Sequence, residues 1–128
     1  MDFEAKIAEL GLLIPKPAKP AGSYKPCVII DNIAYISGQG PLLEDGSFAK
    51  GKVGADVDLE TAQNHARLCG LAILSALKNE IGSINKVDQL IKLTGFVNCI
   101  ESFTQQPLVI NGCSNMMKDI FGETGVHA

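Results

Sequence analysis

Hydrophobic positions in this chain fall into a few spacings, and each spacing predicts an element. Phe3, Ile7 and Leu10 recur at helical intervals, so residues 2–10 predict a short helix that Gly11 can end. Cys27 to Ile30 and Ile33 to Ser37 are β-branched runs split by Asp31 and Asn32. Both turn residues tolerate positive φ, so a hairpin with a two-residue turn follows. Leu59, Ala62, Ala66, Cys69, Ile73, Leu77 and Ile81 make one continuous helical stripe, with Asp58 placed as an N-cap. They predict a long helix over 59–81. From 68 to 77 it is apolar nearly all round, which predicts burial on more than one side. Gly70 costs this helix roughly 1 kcal/mol against Ala, a cost that close packing on a sheet would justify.

Leu90 to Val97 carries the strongest strand pattern. Ile91, Leu93, Gly95 and Val97 share one face, expected to be core. Leu90, Lys92, Thr94, Phe96 and Asn98 share the other. A second long helix is predicted over 107–121, capped by Thr104 and opened by Pro107. Val109, Ile110, Cys113, Met116, Met117, Ile120 and Phe121 form its apolar stripe. Residues 14–26 hold Pro15, Pro17, Pro20 and Pro26 and predict an extended arm; 42–57 predicts a glycine-punctuated loop. Two long helices can cover one face of a sheet. Nothing remains for the other face, so it meets solvent or another subunit.

Composition narrows the function classes. The chain has 128 residues, enough for one domain, 46% of them hydrophobic and 20% charged. A net charge of -3, a single arginine (Arg67) and no tryptophan argue against nucleic-acid or anionic-membrane partners. No apolar stretch reaches the length of a membrane span. Cys27, Cys69, Cys99 and Cys113 show no C-x-x-C spacing, and neither His65 nor His127 stands at metal-ligand spacing from them. They read as reduced, mostly buried thiols of a cytoplasmic protein, without a metal site. The acidic start Met1-Asp2-Phe3-Glu4 is not a signal peptide. Two histidines so placed give no Ser-His-Asp or Cys-His arrangement; His65 is expected at the surface or an interface, and His127 to be uninformative.

The candidate chemistry sits at Tyr35-Ile36-Ser37-Gly38-Gln39-Gly40-Pro41. A strand runs into Ser-Gly-Gln and stops at Gly-Pro. Ser37 offers a hydroxyl, Gly38 a bare backbone, Gln39 a donor and an acceptor. Such a strand end suits a small polar ligand.

These residues stand in order with Tyr24, the Leu90–Phe103 segment, and the ending Phe121-Gly122-Glu123-Thr124-Gly125-Val126-His127-Ala128. Over roughly residues 18–128 the chain resembles the Rid (YjgF, endoribonuclease L-PSP) family, in a longer branch with an N-terminal helix. The resemblance implies one α+β domain over 1–128 of chorismate-mutase-like fold, a mixed β-sheet with two long helices packed on one face. It also implies a homotrimer with a small carboxylate ligand in an intersubunit cleft. Active members hydrolyse enamines and imines of 2-amino acids to 2-keto acids and ammonia, as 2-iminobutanoate/2-iminopropanoate deaminases, without a cofactor. The alternative is a non-catalytic trimer that binds a small carboxylate.

Carried over residue by residue, Tyr24, Ser37 and Gly38 match the family's substrate-binding positions, although Ser23 stands where Gly-Pro-Tyr members have proline. The family asparagine is either Asn111 or Asn115. The family's carboxylate-clamping arginine would follow Ala128 directly, and the glutamate lies later still. Arg67, on the first long helix, is not expected to substitute, and Lys92 is expected to be a solvated strand lysine. The sequence thus looks like a member lacking its last two strands. It is either a piece of a longer gene product or a true truncation, and the exposed edges of a shortened sheet favour the former.

Overall fold

The computed structural model describes all of residues 1–128. Its elements run α1 (Phe3–Glu9), β1 (Cys27–Ile30), β2 (Ile33–Ile36), α2 (Leu59–Ile81) and α3 (Gln106–Phe121), with single 3₁₀ turns at Ile84–Lys86 and Gly122–Gly125. The hairpin forms as the sequence predicts. β1 pairs antiparallel with β2, Cys27 opposite Ile36 and Ile30 opposite Ile33. Asp31 and Asn32 close it with φ of 50° and 62°, the left-handed pair that a two-residue turn needs to match strand twist.

α2 begins where Asp58 accepts a hydrogen bond from the Thr61 amide at 2.8 Å. The Thr61 side chain first, and then that amide bond, hold the Asp58 carboxyl below the usual carboxylate range. The helix ends at Gly82, whose φ of +87° suits a residue without Cβ. α3 departs from expectation at its start. Thr104 does not cap it; Gln105 occupies the cap position without a side-chain bond, and the helix opens on Gln106-Pro107. Proline lacks one of the amides that would otherwise need a partner there.

α2 and α3 lie against each other and carry most of the core: Ala62, Ala66, Leu71, Leu74 and Leu77 meet Val109, Cys113, Met116, Met117 and Ile120. Gly70 is explained by this contact and not by the sheet. A Cβ there would stand 2.7 Å from Met116 Cε and 2.8 Å from Cys113 Sγ. α2 is buried on further sides, as its all-round apolarity predicts. The proline-rich arm runs along it, and Ser75 Oγ donates to the Pro15 carbonyl at 2.6 Å. The hairpin lies under it, with Cys27 and Ile36 turned into the core.

The 90–97 segment is the main departure. It runs under α3, where a Cβ on Gly95 would meet Ile110 Cδ1 at 2.3 Å, but it forms no continuous ladder. Its ends are tied. Leu93 N donates to Ala128 O at 3.2 Å and Ala128 N to Ile91 O at 2.9 Å, a parallel pattern. Val53 forms a parallel bridge with Cys99, its amide donating to Asn98 O and its carbonyl accepting from Ile100 N. Leu93 and Val97 pack on the core as expected. At the start the faces exchange: Leu90 packs inward while Ile91 is 59% exposed, because Leu90 N is held by Thr124 O.

α1 docks through polar contacts around one aromatic pair. Phe3 meets Phe121 edge-on with centroids 4.8 Å apart. Glu4 pairs with Lys78 and accepts from Ser83 Oγ at 2.7 Å. Asn85 Oδ1 accepts from the Glu4 amide at 3.0 Å, and its Nδ2 donates to Asp2 at 3.2 Å. These bonds hold both carboxyls below their ordinary range: Glu4 first by Lys78 and then Ser83, Asp2 first by the Ala5 amide and then Asn85. A depressed folded-state pKa gives stability that is present above the unfolded value and lost as pH falls through the folded one. Docking of α1 is therefore expected to be constant above about pH 5 and to weaken below about pH 4. Amide exchange of residues 3–9 against pH reads this. Glu4→Gln should flatten the profile; an unchanged profile in that variant contradicts the assignment.

Candidate functional site

The β2 strand end is built by its own backbone. Ser37 N donates to Pro26 O at 2.9 Å, and Ser37 Oγ donates to Lys25 O at 2.6 Å. The hydroxyl proton is thereby committed to the arm, and the oxygen's lone pairs face outward. Gln39 Nε2 reaches back to Ser37 O at 3.4 Å. The amides of Gly38 and Gln39 donate to no group of the chain. A Cβ on Gly38 would meet nothing within 4 Å, so an incoming group has clear access to this backbone. Two N–H groups without partners, beside a positioned hydroxyl oxygen, are able to donate to a carboxylate or carbonyl oxygen.

Tyr24 belongs to the same place. It precedes Lys25, whose carbonyl locks Ser37. Its hydroxyl accepts from the Ala21 amide at 3.2 Å, and its ring, 48% exposed, lies over Gly22. Tyr24 thus stands on the arm one residue before the carbonyl that holds Ser37, with its hydroxyl engaged by the arm's own backbone.

It does not bring Asn111 and Asn115 to them within one chain. Both lie on α3 and line a groove against α2, with Glu60, Gln63, Arg67 and Asp119. The sequence reading set Arg67 aside because it lies on a helix, yet that helix places it beside both candidate asparagines. The available signal was spacing. Residues 60, 63 and 67 on one helix and 111, 115 and 119 on the other are polar stripes of period three to four.

Val28, Ile30, Ile33 and Tyr35 share one face of the hairpin and are exposed, Ile30 and Tyr35 at 59%; on the other face Cys27 and Ile36 turn to the core while Ile29 and Ala34 are exposed too. Phe96, on the outward side of its extended segment, is 93% exposed. Lys92 and Thr94 are exposed on that same side, and Lys92 has no ion-pair partner. The apolar residues among these are surface that the single chain leaves uncovered.

The remaining candidates are structural. Burial pushes the Cys113 thiol up to about 11, with Cys69 adding to the effect, and burial raises Cys69 and Cys27 as well. Such thiols are poor nucleophiles and poor ligands. His65 is half-buried on α2. His127 has a role the sequence did not suggest: Nε2 shares a hydrogen bond of 2.8 Å with Ser114 Oγ, tying the segment after α3 back to that helix. No helix is long and apolar enough to cross a membrane.

A hairpin and two long helices, the second strand ending in a segment with free backbone amides, define a small α+β protein of the chorismate-mutase-like type. The family model described as "YjgF/chorismate_mutase-like, putative endoribonuclease" matches residues 4–128, and the chain belongs to that family. It is 35% identical over 125 residues to Protein TCP17 of Trypanosoma cruzi, covering 97% of this chain and 78% of that one. A crystal structure from Shewanella oneidensis, titled as a "putative endoribonuclease", superposes with a TM-score of 0.95 at 30% identity, covering 100% of this chain and 85% of that one. The protein Atu1372 of Agrobacterium tumefaciens, titled as of unknown function, does so at 0.87 and 41% identity, covering 98% and 76%.

Proposed function

We propose that the chain serves the hydrolysis of enamines and imines derived from 2-amino acids, with the ligand held at the Ser37 end in a cleft between subunits of a homotrimer. The observation that carries this reading is the pair of free amides at Gly38 and Gln39 beside a Ser37 oxygen fixed by Lys25. In this reaction water adds to the C=N carbon, the C–N bond breaks, and ammonia leaves with the transferred protons as the 2-keto acid forms. The two amides hold the substrate carboxylate. Ser37 Oγ accepts from the imine N–H or the incoming water, and Tyr24 closes the side formed by the arm. An RNA-cleaving role fits poorly with an acidic chain that has one arginine.

The second reading is a binder of small carboxylates without turnover. It is favoured by the distance in topology between the single guanidinium, in the helix groove, and Ser37. Bidentate clamping of a carboxylate is worth about 1.5–3 kcal/mol per charged contact, and loss of orientation costs on the order of a hundredfold in rate. Lys92 is a flexible point charge and does not replace a planar fork.

The assay generates 2-aminoacrylate in situ and follows its loss against buffer. A polypeptide of residues 1–128 alone is expected to match buffer. One extended by an arginine-bearing strand beside Leu93–Val97 is expected to exceed it, and Ser37→Ala should remove most of that gain. Saturable binding of a 2-keto acid by the extended polypeptide without any gain in rate selects the second reading. Turnover by residues 1–128 alone overturns the dependence on an added arginine and points to Tyr24 and the Ser37 end as sufficient.

A further inference from the structure

We propose that the groove between α2 and α3 is a second binding site, whose ligand is a free α-amino acid held as its zwitterion. The groove encloses about 170 Å³, the liquid volume of roughly five or six waters and the scale of a small amino acid. Seven polar side chains line it: Glu60, Gln63, Asn64 and Arg67 from α2, and Asn111, Asn115 and Asp119 from α3. Only one of the seven is engaged elsewhere, Gln63 Nε2 donating to Leu108 O at 2.9 Å. Arg67 makes neither an ion pair nor a hydrogen bond within the chain, although two carboxylates line the same groove.

Charge selects the ligand class. One guanidinium faces two carboxylates, so the groove repels a dicarboxylate and offers a simple anion little net attraction. A molecule carrying both signs matches it. The α-carboxylate meets the Arg67 fork, the ammonium meets Asp119 or Glu60, and the amides of Asn111 and Asn115, one turn apart, serve the polar remainder. The walls are rigid. Gly112 seats its backbone against the Gln63 carbonyl, which fixes the spacing of the two helices. A site carried by packed helices keeps its geometry without a ligand. It lies on the helical side of the protein, and the Ser37 end lies on the hairpin, so either assignment can fail while the other stands.

The test is an amide-resolved NMR titration of the chain with L-serine and L-alanine, using propionate and ethylamine as single-charge controls. Saturable shifts confined to residues 60–67 and 111–119 are expected, with dissociation constants at or below about 1 mM. Both controls should bind at least about tenfold more weakly. Arg67→Gln and Asp119→Asn alter exposed side chains, should leave the thermal midpoint unchanged, and should each weaken binding about tenfold or more. Absence of saturable shifts below about 10 mM, propionate binding as well as alanine, or undiminished binding in Arg67→Gln each overturns the proposal.

Discussion

Gly112→Ala is expected to be among the most damaging single-methyl changes in the chain. A Cβ at this position would stand 2.0 Å from the Gln63 carbonyl oxygen and 2.7 Å from its carbon. Both are backbone atoms of α2, so no rotamer change relieves the overlap, and the helices must move apart. Their separation loosens the contacts of Ala66, Cys113, Met116 and Met117, which hold the centre of the core. Overpacking of this kind costs about 1–3 kcal/mol, and the larger figure applies where backbone must shift. Alanine returns about 1 kcal/mol in helix propensity, so a net loss of about 2 kcal/mol and a fall of roughly 5–10 °C in midpoint follow. Gly70→Ala is the internal comparison. Its clashes are with side-chain atoms and not backbone, Met116 Cε at the end of a flexible chain and Cys113 Sγ one rotamer from relief, so propensity gain and crowding should nearly cancel. Calorimetry of the two variants decides the matter: equal midpoints would mean that the helices adjust freely at Gly112.

The same glycines show what was legible in the sequence and what was not. Local rules placed the hairpin, both long helices and the Asp58 cap, because each depends on neighbours along the chain: a left-handed Asp31-Asn32 pair, a 3.6-residue stripe, a carboxylate three residues before Thr61. The partner of Gly70 was not legible. A glycine in a helix signals close approach but not which element approaches. Thr104 failed as a cap because Gln105 and Pro107 fix where α3 opens, and propensity at one position does not decide between adjacent starts. The strand pattern at 90–97 was right in alternation but silent about pairing, since side-chain periodicity reports faces and not edges. The site divides in the same way. Ser37 and Gly38 are neighbours at the end of β2, and Tyr24 is linked to them only through the Lys25 carbonyl on the adjoining arm. Asn111, Asn115 and Arg67 meet only because α2 and α3 pack side by side, a long-range fact that a family motif read residue by residue does not contain.

Replacing Tyr35 and Phe96 together by glutamate is expected to convert an assembled protein to monomers. Only 22 of 128 residues are buried within one chain, and Ile30, Tyr35 and Phe96 are among its most exposed large apolar residues. Full burial of one Phe contributes about 1.5–3 kcal/mol. Phe96 starts at 93% exposure, so almost all of that is still available to an interface. Over three copies, as the family resemblance implies, Phe96 alone supplies roughly 5–9 kcal/mol. Glutamate would remove this and add the cost of burying an unpaired carboxylate, itself several kcal/mol. Neither side chain belongs to the core of its own chain, so the fold of the monomer should survive, with unchanged far-ultraviolet circular dichroism. Light scattering at micromolar concentration should give three times the chain mass for the unaltered protein and a single chain mass for the variant. The proposed cleft lies between subunits, so the variant should lose 2-keto acid binding together with its partners. An unaltered protein that is already monomeric, or a variant that stays trimeric, would show that this face is not the interface.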